Sequence, residues 1–226
     1  MEFGRAFSFV FEDPDWLKKV GIAALVFLIP LLGPIVLMGW GLEITRRVIN
    51  HDPNPLPDWS NFSDFLLKGF HAFVVSLAYA LPGILVIICG QVLAIGVASS
   101  LGNSDSNTAG GIVTAAGVCM ACFVTLFFIA AGFIIPAATG NLAASGELGA
   151  AFRFNEVFGL VRAAPGPYVM VILGVLLANI ILAPLGSLVC GIGVLITTAY
   201  TTALGGHLTG QAYNAARAAR STGSNL

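Results

Sequence analysis

The sequence predicts an all-α fold: a polytopic helical membrane protein built from a dipping hairpin and two spanning hairpins, with interfacial amphipathic helices. Three observations carry that prediction. Only 21 of 226 residues, 9%, are Asp, Glu, Lys or Arg, far below the roughly 25% of an ordinary soluble domain. Charges are absent from residues 20–42, 69–104, 106–146 and 163–216, and apolar stretches of about 18 or more residues read as membrane segments because a charge at the bilayer centre is costly. Finally, Pro and Gly fall inside the long apolar stretches where a turn is needed. The whole chain, 1–226, is expected to form a single membrane domain. Within it, residues 1–50 hold an interfacial segment and the first hairpin, 58–138 an interfacial helix and a long spanning hairpin, and 147–220 an interfacial helix, the second spanning hairpin and a tail.

In chain order, Phe3, Phe7, Phe9, Phe11 and Trp16 precede Lys18 and Lys19. Aromatic rings followed by cations fit a segment at headgroup level, rings in the interface and ammonium groups towards anionic lipid. Glu2, Glu12, Asp13 and Asp15 lie ahead of the first apolar run, unlike the basic start of a signal peptide, so no removed leader is expected. Residues 20–42 are interrupted by Pro30, Gly33 and Pro34; they either cross once, kinked, or enter and return. Two features favour the return. Glu2-Phe-Gly-Arg-Ala-Phe-Ser-Phe9 matches Glu147-Leu-Gly-Ala-Ala-Phe-Arg-Phe154 at five of eight positions, and Pro30-Leu-Leu-Gly-Pro-Ile-Val36 stands against Pro184-Leu-Gly-Ser-Leu-Val189. Such an internal repeat predicts equivalent hairpins turning at the two prolines. Charge sidedness agrees: a return places all ten Lys and Arg on one side, whereas a single crossing splits them seven to three, and the positive-inside rule prefers the first. Arms of about 14 residues, roughly 21 Å of helix, dip without crossing.

Pro53, Pro55 and Pro57 stiffen the next loop, and Asp58 is placed to cap a short interfacial helix with Trp59, Phe62 and Leu66 on one face. Residues 69–101 and 109–138 then read as two spanning helices, each about 45 Å long against a bilayer core of about 30 Å. Pro82-Gly83 is expected to kink the first near Tyr79, and Ser99 to Thr108 is a polar loop. Residues 147–162 supply a further amphipathic helix, with Leu148, Phe152 and Phe158 against Arg153, Glu156 and Arg162. Residues 163–216 exceed one span, and Ala183-Pro184-Leu185-Gly186 reads as a turn between helices of 167–183 and 187–211. The sum is four crossings with both termini cytoplasmic. The surface-anchoring residues are Phe7, Phe9, Trp16, Lys18, Lys19, Trp59, Phe62, Phe152 and Arg153.

Little in the sequence points to chemistry. A net charge of −1 gives no basic field for nucleic acid. Cys89, Cys119, Cys122 and Cys190 all lie in apolar stretches, so a disulfide framework is not expected. Cys119-Met-Ala-Cys122 has a ligand-like spacing but no second Cys pair or His nearby, so no metal is assigned. His51, His71 and His207 are scattered, and no nucleophile elbow, Ser-x-x-Lys or His-Glu-x-x-His pattern occurs. No catalytic or cofactor-binding residue is therefore assigned, and an enzyme is not expected. No ionisable group falls at mid-membrane, which argues against ion-coupled transport; the candidate intramembrane polar groups are Gln91, Asn179, Thr197 and Thr201, with Thr198 and Thr202 beside them. Gly83 and Gly90, Gly117 and Ala121, Gly174 and Ala178, and Gly206 and Gly210 are small residues at spacings that allow close helix packing.

The order Asp13-Pro-Asp-Trp16 with Lys18-Lys19, Gly39 to Arg47, Leu56-Pro-Asp-Trp59 and Gly206-His-Leu-Thr-Gly-Gln-Ala-Tyr213 resembles the prokaryotic membrane family known as domain of unknown function 4013. The resemblance covers nearly the whole chain. It implies a bacterial or archaeal cell membrane and carries over no activity and no catalytic residues. The expected role is a non-catalytic accessory or scaffold component of the prokaryotic inner membrane, its partners the lipid bilayer and a partner membrane protein or second copy. The alternative is a passive pore or carrier for a small neutral or lipid-like solute.

Overall fold

A computed structural model describes residues 2–100, 106–188 and 192–223. These form eight α-helices: α1 (Phe3–Glu12), α2 (Trp16–Phe27), α3 (Leu32–Ile49), α4 (Phe62–Ser100), α5 (Ser106–Ser145), α6 (Phe154–Ala163), α7 (Pro165–Leu188) and α8 (Ile192–Gly223). Single 3-10 segments, Trp59–Asn61 and Leu148–Phe152, lead into α4 and α6. The helices divide into two compact units, one of Met1–Val75 with Phe133–Leu226, the other Ser76–Gly132.

The first unit begins with α1, which buries Ala6, Phe9 and Val10, the i, i+3, i+4 pattern of one helical face. Pro14 ends it. The break within residues 20–42 is real and local: α2 stops at Phe27, Leu31 takes a positive φ of 65°, and Pro34 falls in the first turn of α3, where its missing N–H costs no helical bond. Helices α2 and α3 then pack side by side. A Cβ added at Gly33 would lie 2.3 Å from the carbonyl oxygen of Val26, so only glycine admits that backbone approach. At the far end of the pair, Lys19 Nζ donates to the carbonyl of Leu56 at 3.1 Å and Trp59 Nε1 donates to the carbonyl of Lys19 at 2.8 Å. The start of α2 and the loop after α3 therefore meet, which is the geometry of an antiparallel hairpin.

Helix α8 is the central element, packed against α1, α2, α3, α6 and α7. Its contact with α3 uses small residues: a Cβ at Gly206 would sit 2.5 Å from the Gly41 carbonyl oxygen, and one at Gly210 2.7 Å from Val48. Thr45 Oγ1 seals the approach by donating to the carbonyl of Gly206 at 3.0 Å. Helices α7 and α8 run antiparallel, Gly186 against Gly193, Gly205 against Val175 and Gly174 against Leu208. The fully buried Trp40 and Ile44 of α3 centre the core, with Phe9, Val20, Phe65 and Ala203 around them.

The second unit is a pair of antiparallel segments of α4 and α5, with Gly83 facing Phe127 and Gly90 facing Met120. Leu85, Ile88, Leu93, Phe123, Leu126 and Ile129 are exposed, a surface suited to hydrocarbon and not to water.

Three helical stretches are long and apolar enough to cross a membrane: Trp59–Val97, Thr114–Ser145 and Pro165–Ser187. The fourth expected crossing, on α8, is not among them, because Thr197, Thr198, Thr201, Thr202, Gly205, Gly206 and His207 dilute its hydropathy. Other expectations need correction. Pro184 is not a turn: α7 runs through it to Leu188, because an internal proline removes only the one bond to the carbonyl four residues earlier, a loss that a long apolar helix tolerates. Residues 189–191, Cys190 among them, lie outside the described residues. Residues 59–66 are no separate helix, because the 3-10 turn feeds directly into the 39-residue α4, and Asp58 makes no side-chain cap. The polar stretch Ser99 to Thr108 is helical at both ends, through Ser100 and from Ser106. Residues 147–162 are two pieces, a 3-10 turn and α6, broken at Arg153.

Candidate functional site

The polar groups of the first unit gather at one end, where α1, the loop after α3 and the C-terminal part of α8 meet. Two Pro-Asp-Trp sequences, at Pro14-Asp15-Trp16 and Pro57-Asp58-Trp59, flank a single cation. Lys19, 8% exposed, pairs with Asp13 at 2.7 Å and Asp58 at 3.0 Å. Burial alone would lower its pKa, but hydrogen bonding and charge attraction from Asp13 and Asp58 outweigh it, and the net shift is upward. Trp59 stacks on Trp40 with centroids 5.7 Å apart, and Trp40 Nε1 donates to the Pro57 carbonyl at 3.3 Å. One turn away Glu43, also buried, accepts from Lys68 at 2.7 Å and pairs with Arg46 and Arg47.

Beside the Lys19 cluster lies a cleft of about 560 Å³, lined among others by Glu2, Arg5, Glu12, Asp52, His207 and Gln211, within the size range of small-molecule sites. His207 is 6% exposed and lies flat against Phe9, centroids 4.2 Å apart. Gln211 holds its other edge. The Gln211 side-chain oxygen accepts from the Glu2 N–H at 2.8 Å, and its nitrogen donates to the Glu2 carbonyl at 3.3 Å and faces His207 Nδ1 at 3.2 Å. With the amide fixed this way, Nδ1 must accept and the ring proton sits on Nε2. Burial disfavours the imidazolium, Arg5 adds repulsion, and the weaker attraction of Glu12 and Glu2 does not compensate; the pKa is pushed down to about 4. The ring is neutral at pH 7. Asn214 continues the lining, its amide donating to the Val48 and Ile49 carbonyls at 3.2 Å each.

The anchoring set expected from sequence divides in two. Phe9 is 3% exposed and stacked on His207, and Lys19 is committed to its two carboxylates; both are occupied by protein and not by lipid. Phe7, Trp16, Trp59 and Phe152 are half-buried, whereas Lys18, Phe62 and Arg153 are exposed. Phe7 carries a structural contact, its carbonyl accepting from Tyr200 Oη at 2.7 Å. The intramembrane polar candidates do not converge. Asn179 donates to the Val175 carbonyl at 2.8 Å, Thr197 to Val194 at 3.0 Å and Thr201 to Thr198 at 3.0 Å, each within its own helix, while Gln91 is exposed in the second unit. Cys89, Cys119 and Cys122 are exposed free thiols, and among the described residues no three His, Cys, Asp or Glu side chains gather as a metal set. The charged cleft was missed because its walls come from residues some 200 positions apart, such as Glu2 and Gln211; the His207–Gln211 spacing of one helical turn was the available signal.

No curated protein and no solved structure matches the chain. A family match covers residues 22–191, which takes in Leu56-Pro-Asp-Trp59 and leaves Asp13-Pro-Asp-Trp16 and Gly206 to Tyr213 outside. The chain belongs to the family described as protein of unknown function (DUF4013).

Proposed function

We propose that the protein is a non-catalytic, multi-pass component of a prokaryotic inner membrane, an accessory or scaffold protein that organises a partner membrane protein, a second copy or lipid at its cytoplasmic end. The supporting observation is the segregation of polar chemistry. Asn179, Thr197 and Thr201 spend their hydrogen bonds on their own helices, while the ion pairs and the cleft lie together at one end of the first unit. In this reading α2 and α3 dip into the bilayer, α4 and α5 form one spanning hairpin, and α7 with α8 forms a second. The antiparallel register of α7 and α8 supports the return: α8 from Ile192 to about Gly205 lies alongside an apolar span and ends beside α6, where a Cβ at Gly159 would lie 3.5 Å from Arg220. All ten Lys and Arg belong to segments joined at that one end, which the positive-inside rule assigns to the cytoplasm. The exposed rings Phe11, Phe62, Phe154 and Phe158 and the cations Lys18 and Arg153 would rest at the headgroups.

Reconstituted vesicles test the scaffold reading against a passive pore or carrier. Swelling in glycerol or urea gradients should match that of protein-free vesicles. Faster swelling that is lost in Asn179→Leu or Thr201→Val would replace the scaffold with a solute path.

A further inference from the structure

Gln91 on α4 stands apart from the other polar candidates of the spanning helices. Its side chain is exposed, within the stretch Trp59–Val97 that is long and apolar enough to cross a membrane. The exposed apolar surface continues past it in both directions, through Leu85 and Ile88 on one side and Leu93 and Ile95 on the other. Ser99, where the polar stretch begins, is eight positions on, roughly 12 Å along the helix. Gln91 therefore belongs to the band that faces hydrocarbon. Asn179, Thr197 and Thr201 each donate to a carbonyl of their own helix. The Gln91 amide makes no hydrogen bond among the described residues, and lipid tails offer it none.

Three constraints select a second copy of the chain as the partner. A side-chain amide carries both N–H donors and a carbonyl acceptor, so two facing Gln side chains satisfy each other without a third group. Copies inserted in the same orientation hold Gln91 at the same depth, and a two-fold axis along the membrane normal brings the two amides together with no shift of either chain. The helix face is also open. Gly83 and Gly90, which meet Phe127 and Met120 of α5, lie about 80–100° around α4 to one side of Gln91, whereas Ile88 and Ile95, 53% and 68% exposed, lie about 40–60° to the other. We infer that this face is a homodimer contact within the membrane, closed by a reciprocal hydrogen-bonded pair between the Gln91 amides of two copies. The inference rests on the membrane-spanning reading of α4 and deepens the scaffold reading by naming a second copy as partner.

Energy transfer between copies of the full chain tests it. With the four native cysteines replaced and a donor or acceptor dye on Ser221→Cys, the protein is reconstituted in phosphatidylcholine vesicles and diluted with lipid. Transfer should fall along a monomer–dimer curve, and Gln91→Leu should move that curve to about tenfold higher protein-to-lipid ratio. Gln91→Asn, which keeps the amide, should move it less, and helical circular dichroism should be unchanged in both. Oxidative cross-linking in cell membranes tests the register with Gln91 intact. Ile88→Cys and Ile95→Cys should form disulfide-linked dimers. Leu93→Cys should not, because Leu93 is as exposed as Ile95, at 68%, but lies about 160° around the helix from Gln91. Transfer no greater than that of randomly dispersed dyes, a dilution curve unchanged by Gln91→Leu, or equal cross-linking at Leu93→Cys and Ile95→Cys overturns the inference. The scaffold reading is tested apart from it, by solute swelling, which does not depend on whether the protein is a monomer or a dimer.

Discussion

At the scale of single residues, the polar end depends on a few buried charges. Removing Lys19 would leave Asp13, whose side chain is 9% exposed, without its counter-ion, and breaking a buried pair from one side costs about 3 kcal/mol or more. Asp58, at 72% exposure, is screened by water, so its loss costs under about 1 kcal/mol. Thermal unfolding in detergent should therefore show Lys19→Met strongly destabilised and Asp58→Asn close to the parent; equal effects would contradict the assignment of Asp13 as the principal partner. His207 gives a pH dependence. Its folded pKa of about 4 lies below the ordinary 6.5, so between those values the unfolded chain binds a proton that the folded one does not. Stability is complete above pH 6.5 and falls as pH drops towards 4, by about 3 kcal/mol if the full difference is expressed. The slope should flatten in His207→Phe. The pairing of Lys19 with Asp58 was not legible from sequence, because the two are 39 positions apart and an ion pair at that distance leaves no local pattern. Phe9 was misassigned for a related reason. The aromatic run of α1 was read as one set, whereas the 100° helical step turns Phe9 inward beside Ala6 and Val10 and leaves Phe11 outside.

At the scale of elements, glycine position decides which helices touch. A Cβ at Gly39 would fall 1.8 Å from the Phe65 carbonyl oxygen, and one at Gly69 1.8 Å from that of Ile35, so α3 and the start of α4 approach backbone to backbone. Gly39→Ala must push them apart and should cost about 1–3 kcal/mol, the range for overpacking. At Gly117 an added Cβ meets nothing within 4 Å, and Gly117→Ala should be neutral or raise stability by up to about 1 kcal/mol through helix propensity. Comparable losses at both positions, measured as unfolding midpoints, would show that the α3–α4 approach is not structural. Of the small-residue pairs picked from sequence, those at Gly83 and Gly90, Gly174, and Gly206 and Gly210 do pack against a neighbouring helix. The charge-free stretches located the long helices because desolvation of a charge is a large, local and additive penalty. Turn positions were harder. Pro30, Gly33 and Pro34 mark a true break, with Leu31 at φ 65°, yet Pro184 lies inside α7, where a proline costs one bond to the preceding turn without ending the helix.

At the scale of the whole molecule, the account rests on one claim: the segments carrying every Lys and Arg lie on a single side of the membrane, with residues 20–42 returning to the side they left. The ties between Glu2 and Gln211, Lys19 and Leu56, and Asn214 and Val48 bring those segments to one end of the first unit, and a bilayer cannot pass between groups in hydrogen-bond contact. The decisive measurement is cysteine accessibility in intact cells, in a background with the four native cysteines replaced, using a membrane-impermeant maleimide on Ser8→Cys, Asn54→Cys and Ser221→Cys, with Asn103→Cys from the polar stretch between the first two spans as the opposite-side reference. The account predicts that Asn103→Cys labels from outside while the other three label only after lysis. Labelling of Ser8→Cys from outside with Asn54→Cys protected would make residues 20–42 a single crossing and contradict it.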